Sequence, residues 1–328
     1  MIRLQSISLN RFRGVREGTI RDFADVMLLV SRNNCGKSTV AEAITRLAYQ
    51  CGRPPSRTDI WGRNPEEMWT QARNEGKAED FWYRGDRSQV TEIHGEVGEG
   101  KTRAAAKVSL KMEAAGNTYN QNPAESFMEG GTTKVELGRF LSQAAVFRPP
   151  DGTNLAIENN LWPKLLATRR DKALTNALNE IFDTEAEGFA LLPERKLVLL
   201  FSEYSLPLDV QGDGPRTAMR CLMVLALLRD TLFIVEEAES HQHPGSLQRF
   251  ASAMCRQAKE QKVQLLITTQ SSECVRAFLE GADKAKSESA VIHLKLDNGS
   301  LDATRLAPDA VQTLQETGLD VRFLDLYG

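Results

Sequence analysis

The run Val26-Met27-Leu28-Leu29-Val30, followed at once by Ser31-Arg32-Asn33-Asn34-Cys35-Gly36-Lys37-Ser38-Thr39, constrains the fold more than any other stretch of the 328-residue sequence. Five consecutive apolar residues suit a strand buried on both faces. Beyond the loop, Val40, Ala43, Ile44 and Leu47 recur at helical spacing. The order is therefore strand, polar Gly-Lys loop, helix. In that context the pattern G-x-x-x-x-G-K-[ST] cradles nucleotide phosphates. Its backbone N–H groups face the oxygens, the lysine neutralises charge, and the hydroxyl ligates magnesium. Gly36, Lys37 and Ser38 fit the pattern, with Asn33, Asn34, Cys35 and Thr39 in the same loop. Ser31 stands where the first glycine is usual, which carries a steric cost if that position needs a positive φ. The competing reading is a chance Gly-Lys-Ser turn.

Around this core the sequence predicts an α/β chain. Residues 2–9 alternate with period two, Asn10–Gly14 (NRFRG) reads as a turn, and Arg16–Ile20 as a second strand. Residues 51–88 are polar and Arg-rich and hold Trp61, Trp69 and Trp82. Residues 89–147 predict short strands with turns at Gly95, Gly98, Gly116 and Gly130-Gly131. An amphipathic helical stretch over 157–183 follows the Pro149-Pro150 boundary. Then come a strand (197–201), a Gly-rich loop (211–216), a helix (217–229), the apolar run 231–235, a helix (245–261), a strand (263–269) and a helix (272–280). The end reads as strand, turn at Asn298-Gly299, strand and short helix. The expected organisation is an N-terminal lobe with an antiparallel β subdomain (1–150), a helical insertion (151–195) and a C-terminal lobe (196–328).

Composition sets outer limits. A net charge of −3 provides no general electrostatic hold on nucleic acid, although a local basic patch is compatible with it. No apolar run approaches the roughly 18 residues of a membrane span. The N-terminus lacks the apolar centre of a signal peptide, so a cytoplasmic location is expected. Cys35, Cys51, Cys221, Cys255 and Cys274 are scattered, with no C-x-x-C pair. That argues against a disulfide framework or structural zinc and for reduced, mostly buried thiols.

Phosphoryl transfer needs a carboxylate near the metal and a group that orients the attacking water. The apolar run 231–235 ends in Glu236-Glu237, which would supply both; alone, such a pair equally suits a solvated loop. Together, NRFRG, RNNCGKST (32–39), IVEEAESHQHP (234–244), LLITTQSSE (265–273) and GLDVR (318–322) resemble the ATPase head of ABC type. More narrowly, they are similar to its SMC/RecF/OLD-like branch, among the AAA family ATPases of bacterial anti-phage and DNA-repair systems. The resemblance implies a P-loop NTPase fold, with a mixed sheet, an antiparallel β subdomain and a helical insertion, and it implies ATP and Mg2+ as cofactors. It makes Lys37 the phosphate-loop lysine, Ser38 and Glu236 the metal ligands, Glu237 the catalytic glutamate and Gln270 the switch residue. His243 matches a histidine of the segment after the acids. Val210–Gly214 aligns with the signature loop, where Gly212 and Gly214 would meet the γ-phosphate of the opposite subunit ahead of a helix N-terminus.

Four positions depart from the family's pattern: Ser31 for Gly, Glu236 for Asp, Gln270 for His, and Val210 for the signature serine. Glutamine still hydrogen-bonds but carries no charge. The expectation is ATP binding with slow hydrolysis. Nucleotide would act chiefly to bridge two chains in a two-fold interface, as a homodimer or higher oligomer.

Other residues carry two readings. Arg11 and Arg13 approach the nucleotide in related heads, or form a solvated turn. His241 and His243 suggest a metal pair, but a polar loop suits them better without a third ligand. The tryptophans stack bases or, more in keeping with their surroundings, pack a lobe or partner. Arg169-Arg170 touch DNA or line a solvated helix face. No sustained heptads run between the phosphate loop and the signature, so no coiled coil is expected. No nuclease domain is expected after the last strand, and any effector would be a separate protein. Three functions remain: an ATPase subunit governing an effector such as a nuclease or toxin in bacterial defence or DNA metabolism, a non-catalytic nucleotide-bound scaffold, and a RecF-like DNA-binding ATPase.

Overall fold

The computed structural model describes residues 1–52, 81–100, 102–110, 127–129, 133–148, 154–193 and 196–326. The chain begins with β1 (Arg3–Phe12), β2 (Val15–Arg21) and β3 (Val26–Val30), which lead into α1 (Lys37–Gly52). There follow β4 (Thr91–Glu99), β5 (Thr102–Leu110), β6 (Phe127–Glu129), α2 (Thr133–Ser142) and β7 (Ala145–Phe147). Next come α3 (Asn154–Ala167), α4 (Asp171–Phe182), β8 (Gly188–Leu191), β9 (Leu197–Leu200) and β10 (Ser205–Pro207). The remainder is α5 (Asp213–Leu227), β11 (Leu232–Glu236), α6 (Pro244–Gln261), β12 (Gln264–Thr269), α7 (Ser272–Lys284), β13 (Ser289–Asp297), β14 (Ser300–Leu306), α8 (Pro308–Glu316) and a 3-10 turn over Val321–Leu326.

Among the described residues, eleven strands form one sheet in the order β6-β5-β4-β1-β2-β14-β13-β3-β12-β11-β7. One half is parallel: β13, β3, β12, β11 and β7 run together. The other half, β6 to β2, is antiparallel. Strands β8, β9 and β10 form a small antiparallel sheet. Strands from the expected N-terminal and C-terminal lobes thus alternate in one mixed sheet.

Alternation sets the two layers. In β3, Val26, Leu28 and Val30 enter one core and Met27 and Leu29 the other, because successive strand side chains face opposite sides of a sheet. Strand β11 divides likewise, Phe233 and Val235 on the first side, Leu232 and Ile234 on the second. The second core is covered by α1 through Val40, Ala41, Ile44 and Leu47. The first core is covered by α5, α6 and α7, with Leu222, Phe250 and Phe278 among its buried side chains.

Several expectations change. Gly95 and Gly98 lie inside β4 rather than at turns. Gly95 is where α1 crosses the strand, and a Cβ there would stand 2.3 Å from Leu47 Cδ2. The chain reverses instead beyond Glu99, at Gly100, whose φ is 58°. Gly116 and Gly130-Gly131 lie outside the described residues, as do Trp61 and Trp69. The stretch 157–183 is two helices, α3 and α4, broken by Arg169 at φ 56°. Helix α2 was not anticipated. Trp82 is 5% exposed and donates from Nε1 to Gln89 O at 3.0 Å, a packing role. Cys221, Cys255 and Cys274 are buried free thiols and Cys35 is half-buried. Among the described residues, no helix is long and apolar enough to cross a membrane.

Candidate functional site

The phosphate-loop segment leaves the C-terminal end of β3, the strand between β13 and β12. Two residues turn it by adopting left-handed backbone, Asn34 at φ 62° and Gly36 at φ 94°. Asparagine and glycine tolerate that region best. The N–H groups of Lys37, Ser38 and Thr39 open α1 and, as in any helix, have no carbonyl four residues back within it. They and the helix dipole favour an anion at this point.

Lys37 is 8% exposed. Its Nζ donates to Ser31 O at 2.9 Å, Ser31 Oγ at 3.0 Å and Arg32 O at 2.9 Å. Burial pushes the amine's pKa down, against the opposing pull of Cys35, Glu239 and Glu237. Ser31 does not adopt a positive φ, so the steric cost considered for it does not arise. Its hydroxyl instead joins the group of oxygens around the lysine. Cys35 lies beside the loop with Sγ 3.5 Å from Asn33 O, and Ser38 and Thr39 are half-buried.

The parallel register lines up the other candidates. Thr269 pairs with Val30, and Glu236 with Thr268, so phosphate loop, Gln270 and the acidic pair lie at three adjacent strand ends. Ligands of open α/β sheets bind at such carboxyl ends. Glu236, 3% exposed, accepts from Arg148 Nε at 2.6 Å. Glu237 is exposed and sits at φ 51°. Its N–H donates to Thr268 O at 2.9 Å, which holds the residue in a conformation costing about 1–3 kcal/mol. Gln270 is held through its backbone: its N–H donates to Glu239 Oε1 at 2.8 Å, and its carbonyl accepts from Arg322 Nη1 at 2.7 Å.

The remaining candidates sit further out. Arg13 pairs with Glu42 on α1, and Arg11 with Asp86. His243 caps α6, its Nδ1 accepting from Gly245 N at 3.3 Å. His241 Nδ1 lies 3.8 Å from Asp213 Oδ2. The signature-like helix α5 begins at Asp213, with Gly212 at its N-cap, and not after Gly214. An acid in the first turn satisfies the helix dipole, and Arg216 pairs with it in turn. Gly214 is buried because the loop after the acids docks on it: a Cβ would meet His241 O at 2.7 Å, and Gln242 Nε2 donates to Gly214 O at 2.9 Å. Gly212 is exposed.

The side chains present fit a magnesium nucleotide. Ser38 opens α1, Glu236 offers a buried carboxylate two strands away, and Glu239 Oε2 is buried with no hydrogen-bond partner among the described residues. Among those residues no three His, Cys, Asp or Glu side chains converge on a metal site. Magnesium in phosphate loops needs few protein ligands, because phosphate and water supply the rest. Sequence reading missed Arg148, Glu239 and the role of Arg322. Arg148 follows a three-residue edge strand too short to stand out, and Glu239 is one acid among several after β11.

No protein-family model matches the sequence. A 112-residue segment, 34% of this chain, is 28% identical to 98% of the uncharacterized protein MJECL11 of Methanocaldococcus jannaschii. Solved structures align over nearly the whole chain. The SMC head domain from Thermotoga maritima aligns with TM-score 0.53 at 16% identity, covering 93% of this chain and 99% of that one. An SMC head bound to the C-terminal winged-helix domain of ScpA aligns with TM-score 0.58 at 13% identity, over 94% and 99%. A Pyrococcus furiosus SMC head with an extended coiled coil, bound to the C-terminal domain of ScpA, aligns with TM-score 0.57 at 11% identity, over 97% and 99%. At these identities the likeness establishes the fold alone, that of the SMC head domains.

Proposed function

We propose that this chain is an ABC-type ATPase subunit that binds ATP with magnesium, self-associates through the nucleotide and governs a separate effector protein in defence or DNA metabolism. The observation that carries the reading is the alignment of Lys37, Gln270 and Glu236-Glu237 at three neighbouring strand ends. The SMC heads bound to ScpA domains support a head that docks a partner protein.

Lys37 exchanges the carbonyls of Ser31 and Arg32 for phosphate oxygens, while the first N–H groups of α1 hold the same phosphates. Ser38 and Glu236 would hold magnesium, which supplies neutralisation of phosphate charge. Glu237 orients water and accepts its proton. Gln270, fixed by Glu239 and Arg322, presents an amide to the terminal phosphate. Gly212, exposed at the start of α5, faces the partner subunit's nucleotide.

One observation favours a second reading, that of a non-catalytic scaffold. Arg148 occupies an oxygen of Glu236 at 2.6 Å, which competes with a metal for the same carboxylate. Magnesium-dependent hydrolysis, measured beside sizing with and without ATP, separates the two. Turnover that disappears in Lys37→Ala and in Glu237→Gln establishes the ATPase. Binding without turnover in the unsubstituted protein establishes the scaffold, and the absence of both sinks the nucleotide reading.

A further inference from the structure

The 3-10 segment over Val321–Leu326, kinked at Phe323 (φ −114°), touches both nucleotide elements at once. At its start, Arg322 Nη1 donates to the carbonyl of Gln270 at 2.7 Å. The guanidinium is fixed from behind, with Nε 2.9 Å from both carboxylate oxygens of Asp320. Near its end, Asp325 forms an ion pair with Arg32, the second residue of the phosphate loop. The Asp325 side chain is 5% exposed, and His293 lies behind it, Nε2 to Oδ1 at 3.6 Å. His293 pairs in register with Val30, the residue that delivers the chain to the loop. Just before the first contact, Val321 is 1% exposed and set into the main core. Gln270 is in turn bound to Glu239, three residues past Glu236.

We propose that this turn is a positioning clamp, in which Arg322 and Asp325 fix the distance between the phosphate loop and Gln270. A buried anchor with a hydrogen bond to one element and an ion pair to the other transmits displacement of either to the other, because packed segments shift as units. The purpose of the clamp, which is to make sensing of the terminal phosphate depend on loop position, rests on the nucleotide reading above.

Amide hydrogen exchange on the nucleotide-free protein tests the coupling directly, and no turnover is needed. Arg322→Ala should accelerate exchange at least tenfold in 268–272 and also at Ser31–Lys37, which Arg322 does not touch. Asp325→Asn should do the reverse, loosening 268–272 from the loop side. Exchange in α6 should stay within twofold, which excludes general destabilisation, and Arg322→Lys should recover part of the protection. If each variant loosens only its own contact partner, the clamp is wrong. A titration with trinitrophenyl-ATP and trinitrophenyl-ADP keeps the two claims apart. Arg322→Ala should reduce the preference for the triphosphate about fivefold or more. Cross-loosening in a protein that binds neither probe would leave the clamp standing and sink the nucleotide reading.

Discussion

Lys37 Nζ lies 3.0 Å from Ser31 Oγ, so the residue that breaks the phosphate-loop pattern is a direct partner of the residue that defines it. Ser31 is 1% exposed and its hydroxyl also donates to Arg32 O at 2.9 Å. Restoring the usual glycine with Ser31→Gly removes a charge-assisted hydrogen bond and adds backbone freedom. Unfolding free energy should fall by about 1–3 kcal/mol in urea titrations. No loss would mean the hydroxyl is incidental to the loop.

The pairing of Arg148 with Glu236 gives a second expectation. Arg148→Met removes an ion pair from the buried Glu236 carboxylate, which should lower stability by about 1–3 kcal/mol without nucleotide. Magnesium-ATP should then raise the melting temperature of the variant more than that of the unsubstituted protein, because the metal replaces the lost charge. Equal increments in thermal shift would argue that Glu236 does not meet a metal.

A buried ionic cluster ties the first turn of the chain to α1. Glu42, 2% exposed, accepts from Arg46 Nη2 at 2.9 Å and Nε at 3.2 Å, and from Arg13. The Arg46 guanidinium stacks 3.7 Å from the Phe81 ring, and burial pushes its pKa down to about 10. Glu42→Gln would leave two cations without their shared anion and should cost about 3–5 kcal/mol, read by chemical denaturation. This cluster also explains the position of Arg13: its guanidinium is engaged five residues beyond Lys37 along α1.

Gln264 is a side chain used as backbone. Its Oε1 accepts from Leu4 N at 2.8 Å, and its Nε2 donates to Leu4 O at 3.1 Å and Ala24 O at 2.9 Å. Gln264→Leu preserves bulk but leaves these buried backbone groups unpaired, at about 1–3 kcal/mol each. A drop of less than about 1 kcal/mol in unfolding free energy would contradict that account.

Acid should weaken the chain through His293. Burial holds its pKa below the usual value, with Arg32 and Lys295 acting in the same direction and Asp325 and an Arg322 backbone hydrogen bond against it. Between the lowered value and about 6.5, the unfolded chain binds more protons, so stability falls as pH falls through that window. The urea midpoint should drop as pH falls below about 6.5, and His293→Gln should flatten that drop. An unchanged slope in the variant would assign the dependence to other groups.

The central architecture was legible because it depends on patterns that burial imposes. VMLLV, TLFIV and VQLLITT suit inner strands and form β3, β11 and β12, and Gly36-Lys37-Ser38 follows the first of them at its C-terminal end. What stayed hidden depends on long-range registration. Gly95 carries the ordinary sequence mark of a turn, yet it is a strand residue that makes room for Leu47. Arg148, Glu239 and Arg322 are ordinary charges until the sheet brings them to Glu236 and Gln270. The start of α5 was misplaced because Asp213 stabilises a first turn that the glycines on either side disguise.

The neighbours of β3 also bear on how the site comes into being. Val26 registers with Leu265 on one side and with Ser289 on the other, both far toward the chain's C-terminal end. At typical synthesis rates these partners emerge on the order of tens of seconds after the loop itself. Until then Lys37 belongs to a segment with no sheet to hold its shape, so a nascent chain has no organised place to hold a triphosphate. Any competence to bind nucleotide would therefore arrive last, as a property of the completed sheet, and a ribosome-bound fragment ending before β12 should bind none.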